Sequence, residues 1–280
     1  MFRLLKNIFR LIILILVIGI LAVCYARYIE PQMLKVRDVN VSSSHLTDKA
    51  EGVKIAVFGD THFSDYYSTE DFNKVVDAIR ENQPDIVVFS GDLIDHFNIY
   101  AEDVSLISEI LSEIQAPLGK FAIFGNHDYG GGAENEYESI MESGGFTVLK
   151  NEYYAIPELD IAMIGIDDVI IGYGDPSIAS WGRPDYFNIV LSHAPDVIDD
   201  VLDYNVDLMI SGHTHGRQIN VKFFDDYILP PYGKKYVSGL YAFDNERRSQ
   251  LLVNCGIGMT KLPYRFMSPP ELTIITLNGE

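Results

Sequence analysis

From residue 53 onward the chain alternates short apolar runs with amphipathic stretches. Residues 53–58 are apolar and stop at Gly59-Asp60-Thr61-His62. Ser68 and Asp71 form a capping box, and Phe72, Val75, Val76 and Ile79 then share one helical face. A helix is therefore predicted from there to about residue 82. A second apolar run, 86–90, ends in Gly91-Asp92. A helix over 103–114 follows, with Val104, Ile107, Ile110 and Leu111 on one face. A third run, 121–124, ends in Gly125-Asn126-His127-Asp128. Strand, loop and helix in repetition imply right-handed crossovers and a largely parallel, buried sheet. Beyond residue 150, apolar runs at 160–166, 187–191, 207–210, 236–243, 250–253 and 271–277 read as strands, with short helices at 134–143 and 195–202. The fold class expected is α/β, with two packed mixed sheets flanked by helices.

The first 52 residues follow another pattern. Residues 11–26 are uncharged and mostly aliphatic, with Arg3, Lys6 and Arg10 before them and Arg27 after. A spanning helix wants about 20 apolar residues, and flanking Tyr25 and Tyr28 with snorkelling arginines extend a short run. The expected organisation is a basic flank at 1–10, a single-pass membrane anchor at 11–27, an irregular connector at 28–52 and one domain at 53–280. A cleaved signal peptide, or lipidation of Cys24 in Leu21-Ala22-Val23-Cys24, is the alternative. More basic residues precede the run than directly follow it, which favours an extracytoplasmic domain.

Composition narrows the function classes. The net charge is −19, and residues 1–30 hold four basic residues against Glu30 alone, leaving −22 over 31–280. So acidic a body repels polyphosphate chains and argues against a nucleic-acid partner. Two cysteines, Cys24 in the apolar run and Cys255, form neither a disulfide framework nor a zinc finger. The phosphate loop G-x-x-x-x-G-K-[ST] and the serine-hydrolase elbow G-x-S-x-G are both missing.

Histidine placement is informative. Of the seven, His45 and His96 read as ordinary surface or hydrogen-bonded residues, and the other five sit at the ends of apolar runs beside other ligand types. Ligands gather beyond the carboxyl ends of strands in open α/β sheets. Asp60, His62, Asp92, Asn126, His127, His193, His213 and His215 can thus converge, and imidazoles with hard oxygens suit divalent Mn, Fe or Zn.

Gly59-Asp60-Thr61-His62, Gly91-Asp92-Leu93-Ile94-Asp95, Gly125-Asn126-His127-Asp128, Ser192-His193-Ala194-Pro195-Asp196 and Gly212-His213-Thr214-His215 resemble, in order, the five blocks of calcineurin-like metallophosphoesterases. Tyr28-Ile29-Glu30-Pro31, Leu262-Pro263 and Pro269-Pro270 look like the bacterial membrane-associated phosphodiesterase subgroup, some of whose members cleave the pyrophosphate of UDP-2,3-diacylglucosamine. The resemblance implies an αββα sandwich and two divalent ions, with manganese first and iron or zinc as options. One ion would take Asp60, His62 and His215, the other Asn126, His193 and His213, with Asp92 bridging. A hydroxide held between the ions would attack phosphorus in line. His127 would protonate the leaving group and Asp95 would orient it. Asp128 would be an outer supporting residue. The chain departs from the subgroup at Arg217, where glycine is common. Arg217, Arg183 and Arg265 are candidate phosphate contacts. The expected substrate is a small or lipid-linked phosphodiester or pyrophosphate. A metal-binding scaffold or partner-binding protein of the same fold without turnover is the alternative.

Overall fold

The computed structural model describes residues 2–279. The first sheet is built from β1 (Lys35–Ser43), β2 (Lys54–Phe58), β3 (Ile86–Phe89), β4 (Lys120–Ala122), β5 (Thr147–Val148) and β12 (Glu271–Gly279). Its spatial order is β1-β12-β2-β3-β4-β5. The second holds β6 (Glu152–Ile156), β7 (Ile161–Gly165), β8 (Phe187–Leu191), β9 (Leu208–Ser211), β10 (Gly239–Ala242) and β11 (Gln250–Val253), in the order β10-β11-β9-β8-β7-β6. Parallel pairing joins β2–β3–β4–β5 and β7–β8–β9–β11. Helices α2 (Thr69–Asn82), α3 (Ser105–Ser112) and α5 (Tyr137–Ser143) serve the first sheet's crossovers. Ser68 and Asp71 close the expected capping box at the start of α2.

Strand periodicity explains the layers. Along β2, Ile55 and Val57 point into the core between the sheets, while Ala56 and Phe58 pack with Phe72, Val75 and Ile79 of α2. Ile161, Met163, Ile189, Leu208 and Ile210 from the second sheet meet the same inter-sheet core. A third cluster, including Val190, Met209, Val197 and Val201, covers the outer face of the second sheet. Two sheets flanked by helices are thus the architecture, as the apolar runs implied.

Three strands depart from the expectation. Residues 28–52, expected as an irregular connector, supply β1, which pairs in parallel with β12 over its full length. Only Val39, Val41 and Ser43 of β1 are buried, so its polar outer positions masked the strand. The strands β5 and β6 also went unseen, since β5 has two residues and β6 alternates exposed and half-buried positions. At the N-terminus, α1 (Phe2–Cys24) is apolar and buries no residue against the body. With the turns that continue it to Gln32, it is long and apolar enough to cross a membrane, which supports membrane association.

Candidate metal centre

The strand ends do converge. β2 delivers Asp60 and His62, β3 Asp92, β8 His193, and β9 His213 and His215, while Asn126 opens the one-turn helix α4 (Asn126–Gly130) after β4. Asp60, His62, Asp92, His213 and His215 hold left-handed backbone, with φ of 48°, 43°, 61°, 72° and 51°. That conformation costs an L-residue about 1–2 kcal/mol. Five such residues on one spot mark a site that its surroundings force into shape. The approach is also tight. A Cβ on Gly125 would stand 2.2 Å from Asp92 Oδ1, and one on Gly91, at φ 96°, would stand 2.6 Å from Gly125 N. The glycines in Gly-Asp and Gly-Asn therefore let two loops touch.

Three donor clusters form, each with ligand atoms within 4.8 Å of one another: Asp60, His62 and His215; Asp92, His193 and His213; and His62, Asp92 and His127. Asp92 sits between the first two, its Oδ2 3.4 Å from His62 Nε2 and 3.2 Å from His193 Nε2. His215 Nε2 lies 3.4 Å from Asp60 Oδ1 and 3.1 Å from His62 Nε2.

The outer nitrogens of two rings are hydrogen-bonded, and that of a third faces a carboxylate. His193 Nδ1 bonds the Ser90 carbonyl at 2.7 Å and His213 Nε2 the Pro231 carbonyl at 2.9 Å. His62 Nδ1 lies 3.1 Å from Asp95 Oδ1, off the line of a hydrogen bond. Such contacts fix the tautomer and free the inner nitrogen as a ligand. The buried atoms His193 Nε2 and Asn126 Oδ1 have no hydrogen-bond partner. A buried orphan is costly unless something else satisfies it, so this donor set fits metal ions.

Electrostatics agree. Burial, then the nearby His193, pushes His213 down to about 3. Burial and His62 hold His215 well below the ordinary imidazole value, so both rings are neutral donors. For Asp92 burial opposes ionisation, yet His193 and His127 outweigh it and hold the carboxyl well below its usual value. His193 differs: burial opposes its proton, but Asp92 lifts it to about 10, so an ion bound at Nε2 would have to displace that proton.

His127 lines the cavity beside Asp92 and Asn126. Its backbone N–H donates to Asp92 Oδ1 at 2.8 Å, and its ring Nδ1 bonds the Asp95 backbone carbonyl at 3.0 Å. Burial opposes its charged form, but Asp92 and the Asp95 carbonyl raise it above the ordinary imidazole value. Asp95 Oδ1 stands 3.3 Å from His127 Nδ1 and accepts from Thr260 Oγ1 at 2.7 Å. Despite partial burial, His62 and Thr260 bring Asp95 down to about 2. The Asp128 carboxylate accepts from the backbone of Gly125, Asp92 and Leu93, stitching two loops together.

The cavity over these groups holds about 300 Å³, and Ile170, Ile219, Ile228 and Leu262 add apolar wall. Arg217 lines it too, with its guanidinium held by both Asp225 oxygens at 2.7 and 2.8 Å. Arg183 and Arg265 are not among the lining residues. Arg183 forks onto Asp185 at the surface. Arg265 is fully buried and spends its donors on the carbonyls of Cys255, Gly256, Gly258 and Ser268.

Sequence reasoning missed two contributors. Thr260 carries no motif. Asp168 is buried, its Oδ2 accepts from Ile170, Ile171 and Gly172, its Oδ1 has no partner, and it acts electrostatically on His193. It follows the apolar run of β7, the same strand-end signal that marked the other carboxylates.

Residues 53–217 match the calcineurin-like phosphoesterase family. The chain is 41% identical to an uncharacterized metallophosphoesterase of Bacillus subtilis, YkuE, over 91% of this chain and 89% of that one. The chain belongs to the calcineurin-like phosphoesterases. It is also 30% identical to the phosphodiesterase YaeI of Escherichia coli, over 90% and 92% of the two chains. Identity to the UDP-2,3-diacylglucosamine pyrophosphatase LpxG of Chlamydia trachomatis is 28%, over 93% and 94%. As a metallophosphoesterase the chain is a hydrolase, and its donor clusters are a site for divalent metal.

Proposed function

We propose that the chain is a dinuclear phosphodiesterase or pyrophosphatase held at a membrane. The observation that carries this reading is Asp92, whose one oxygen, Oδ2, lies within 3.4 Å of His62 Nε2 and 3.2 Å of His193 Nε2. A carboxylate so placed serves two sites. Asp60, His62 and His215 would hold one ion and Asn126, His193 and His213 the other, with Asp92 shared. Bound there, divalent ions supply Lewis acidity to phosphoryl oxygens and lower the pKa of nearby water. Manganese is the first choice and iron or zinc fits the same donors.

The protein's own groups complete the chemistry. Hydrolysis breaks the phosphorus–oxygen bond to the leaving group, joins the oxygen of water to phosphorus and places one proton on the leaving oxygen. His127 holds that proton at Nε2, since Nδ1 is committed to Asp95. Asp95 orients His127 and braces His62 at once. Arg217, fixed by Asp225, is placed to contact a phosphoryl oxygen inside the cavity. Arg183 and Arg265 have no part in this reading.

The names of the E. coli and C. trachomatis relatives favour a diester or pyrophosphate over a monoester. The apolar wall and the membrane helix favour a lipid-linked substrate. Arg3, Lys6 and Arg10, in the first turns of the helix and ahead of its uncharged run, favour a domain outside the cytoplasm.

The test is hydrolysis of bis-p-nitrophenyl phosphate by the full chain in detergent with Mn²⁺, Fe²⁺ or Zn²⁺, beside Asp92→Ala. Metal-dependent turnover that vanishes in the variant is expected. Equal activity in parent and variant would overturn the site.

A further inference from the structure

Two sequence features stand outside the chemistry so far: Glu30-Pro31 at the exit from the membrane helix, and the proline-bracketed stretch 262–270. The fold brings them together. Glu30 is 2% exposed, and its Oε1 accepts from Ser268 N at 2.6 Å. Arg265 N donates to the Ala26 carbonyl at 2.9 Å, and Lys35 N to the Pro270 carbonyl at 2.8 Å. The buried Arg265 guanidinium, spread over the Ser268 carbonyl of this stretch and those of Cys255, Gly256 and Gly258 just before it, feels the Glu30 charge. A buried carboxylate with a backbone donor and a cation near it is a built contact, not a chance one.

The loop 254–270, of which this stretch is the second half, touches the metal centre at three points. Ser268 Oγ donates to the His215 carbonyl at 2.8 Å. Gly258 N donates to the Asp60 carbonyl at 2.8 Å. Thr260 Oγ1 donates to Asp95 Oδ1 at 2.7 Å. One loop therefore has the membrane exit on one side and Asp60, Asp95 and His215 on the other.

We infer that Glu30 is a positioning residue for the metal centre. Resting on the metal-centre reading above, it holds the backbone of Ser268, whose hydroxyl holds the backbone of His215 in its left-handed conformation. Outer contacts of this kind set ligand orientation and cost roughly 10–100-fold in metal affinity when lost. The anchor is then part of the catalytic scaffold. It joins the domain through a buried contact, where a flexible linker would leave the two independent.

The test uses the full chain in detergent, stripped of metal, with Mn²⁺ alone titrated by calorimetry. Hydrogen exchange of 211–217 and 255–270 is read in the metal-free state. Glu30→Ala should weaken Mn²⁺ binding about tenfold and speed exchange in both segments. Glu30→Gln, whose amide oxygen still accepts from Ser268 N, should lose less. Ser268→Ala should weaken binding as Glu30→Ala does. Val41→Ala, in the buried face of β1, should lower Tm and leave Mn²⁺ affinity unchanged. Parent-like Mn²⁺ affinity in Glu30→Ala overturns the inference, as does an equal affinity loss in Val41→Ala. A parent that binds no Mn²⁺ defeats the metal-centre reading and the inference with it. Unchanged exchange at 211–217 in Glu30→Ala defeats the brace alone.

Discussion

The metal centre and its frame are built in opposite ways. The candidate ligands come from one ordered stretch of chain, each at the carboxyl end of a buried strand. The frame comes from both ends of the molecule: Glu30 and Ser268 are 238 positions apart, and β1 and β12 pair alongside them. The first arrangement is local and repeats a rule, strand then ligand. The second depends on where distant segments meet after folding. If the chemistry lies in the first region and the second sets its geometry, as inferred above, variants in the two should fail differently.

The largest contrast is expected at His127, which belongs wholly to the strand-end region. His127→Gln should reduce kcat on an alkyl phosphodiester by roughly 10²–10³, the scale of a general acid, with metal affinity intact. The loss should shrink for bis-p-nitrophenyl phosphate, whose leaving anion needs little protonation. The His127 pKa is raised, so its proton persists above the ordinary imidazole range and is lost as pH climbs through the raised value. In the parent, kcat should therefore fall on the alkaline side, and that limb should be missing in the variant. Equal losses on both substrates would remove His127 from the acid role.

A smaller effect is expected where the regions meet. Asp95 lies within 3.3 Å of both His62 Nδ1 and His127 Nδ1, and accepts from Thr260 of the frame. Asp95→Asn should weaken Mn²⁺ binding by about tenfold and also lower kcat, combining both kinds of failure. A variant that changed kcat alone would place Asp95 with His127 only.

The strand-end ligands were legible because β2, β3, β8 and β9 are apolar on both faces, or nearly so, and stop abruptly at Asp or His. The capping box of α2 was legible for the same reason: its signal spans four residues. β1 was hidden by its polar outer face, and residues 28–52 therefore read as linker. Arg183 and Arg265 carry only their charge as a signal and Arg217 adds its place beside His215, so only tertiary partners sort the three. Arg217 faces the cavity with Asp225 behind it, Arg183 pairs with its neighbour Asp185, and Arg265 is a buried backbone staple. Thr260 and Ser268 carry no pattern and matter only through what they touch.

The central claim is that Asp92 joins two metal positions, and counting bound metal tests it most directly. The full chain, loaded with Mn²⁺ and freed of excess by dialysis, should carry two ions per chain by elemental analysis. Asp92→Asn should carry fewer. A folded parent that never exceeds one ion, under conditions where it hydrolyses a phosphodiester, would contradict the account.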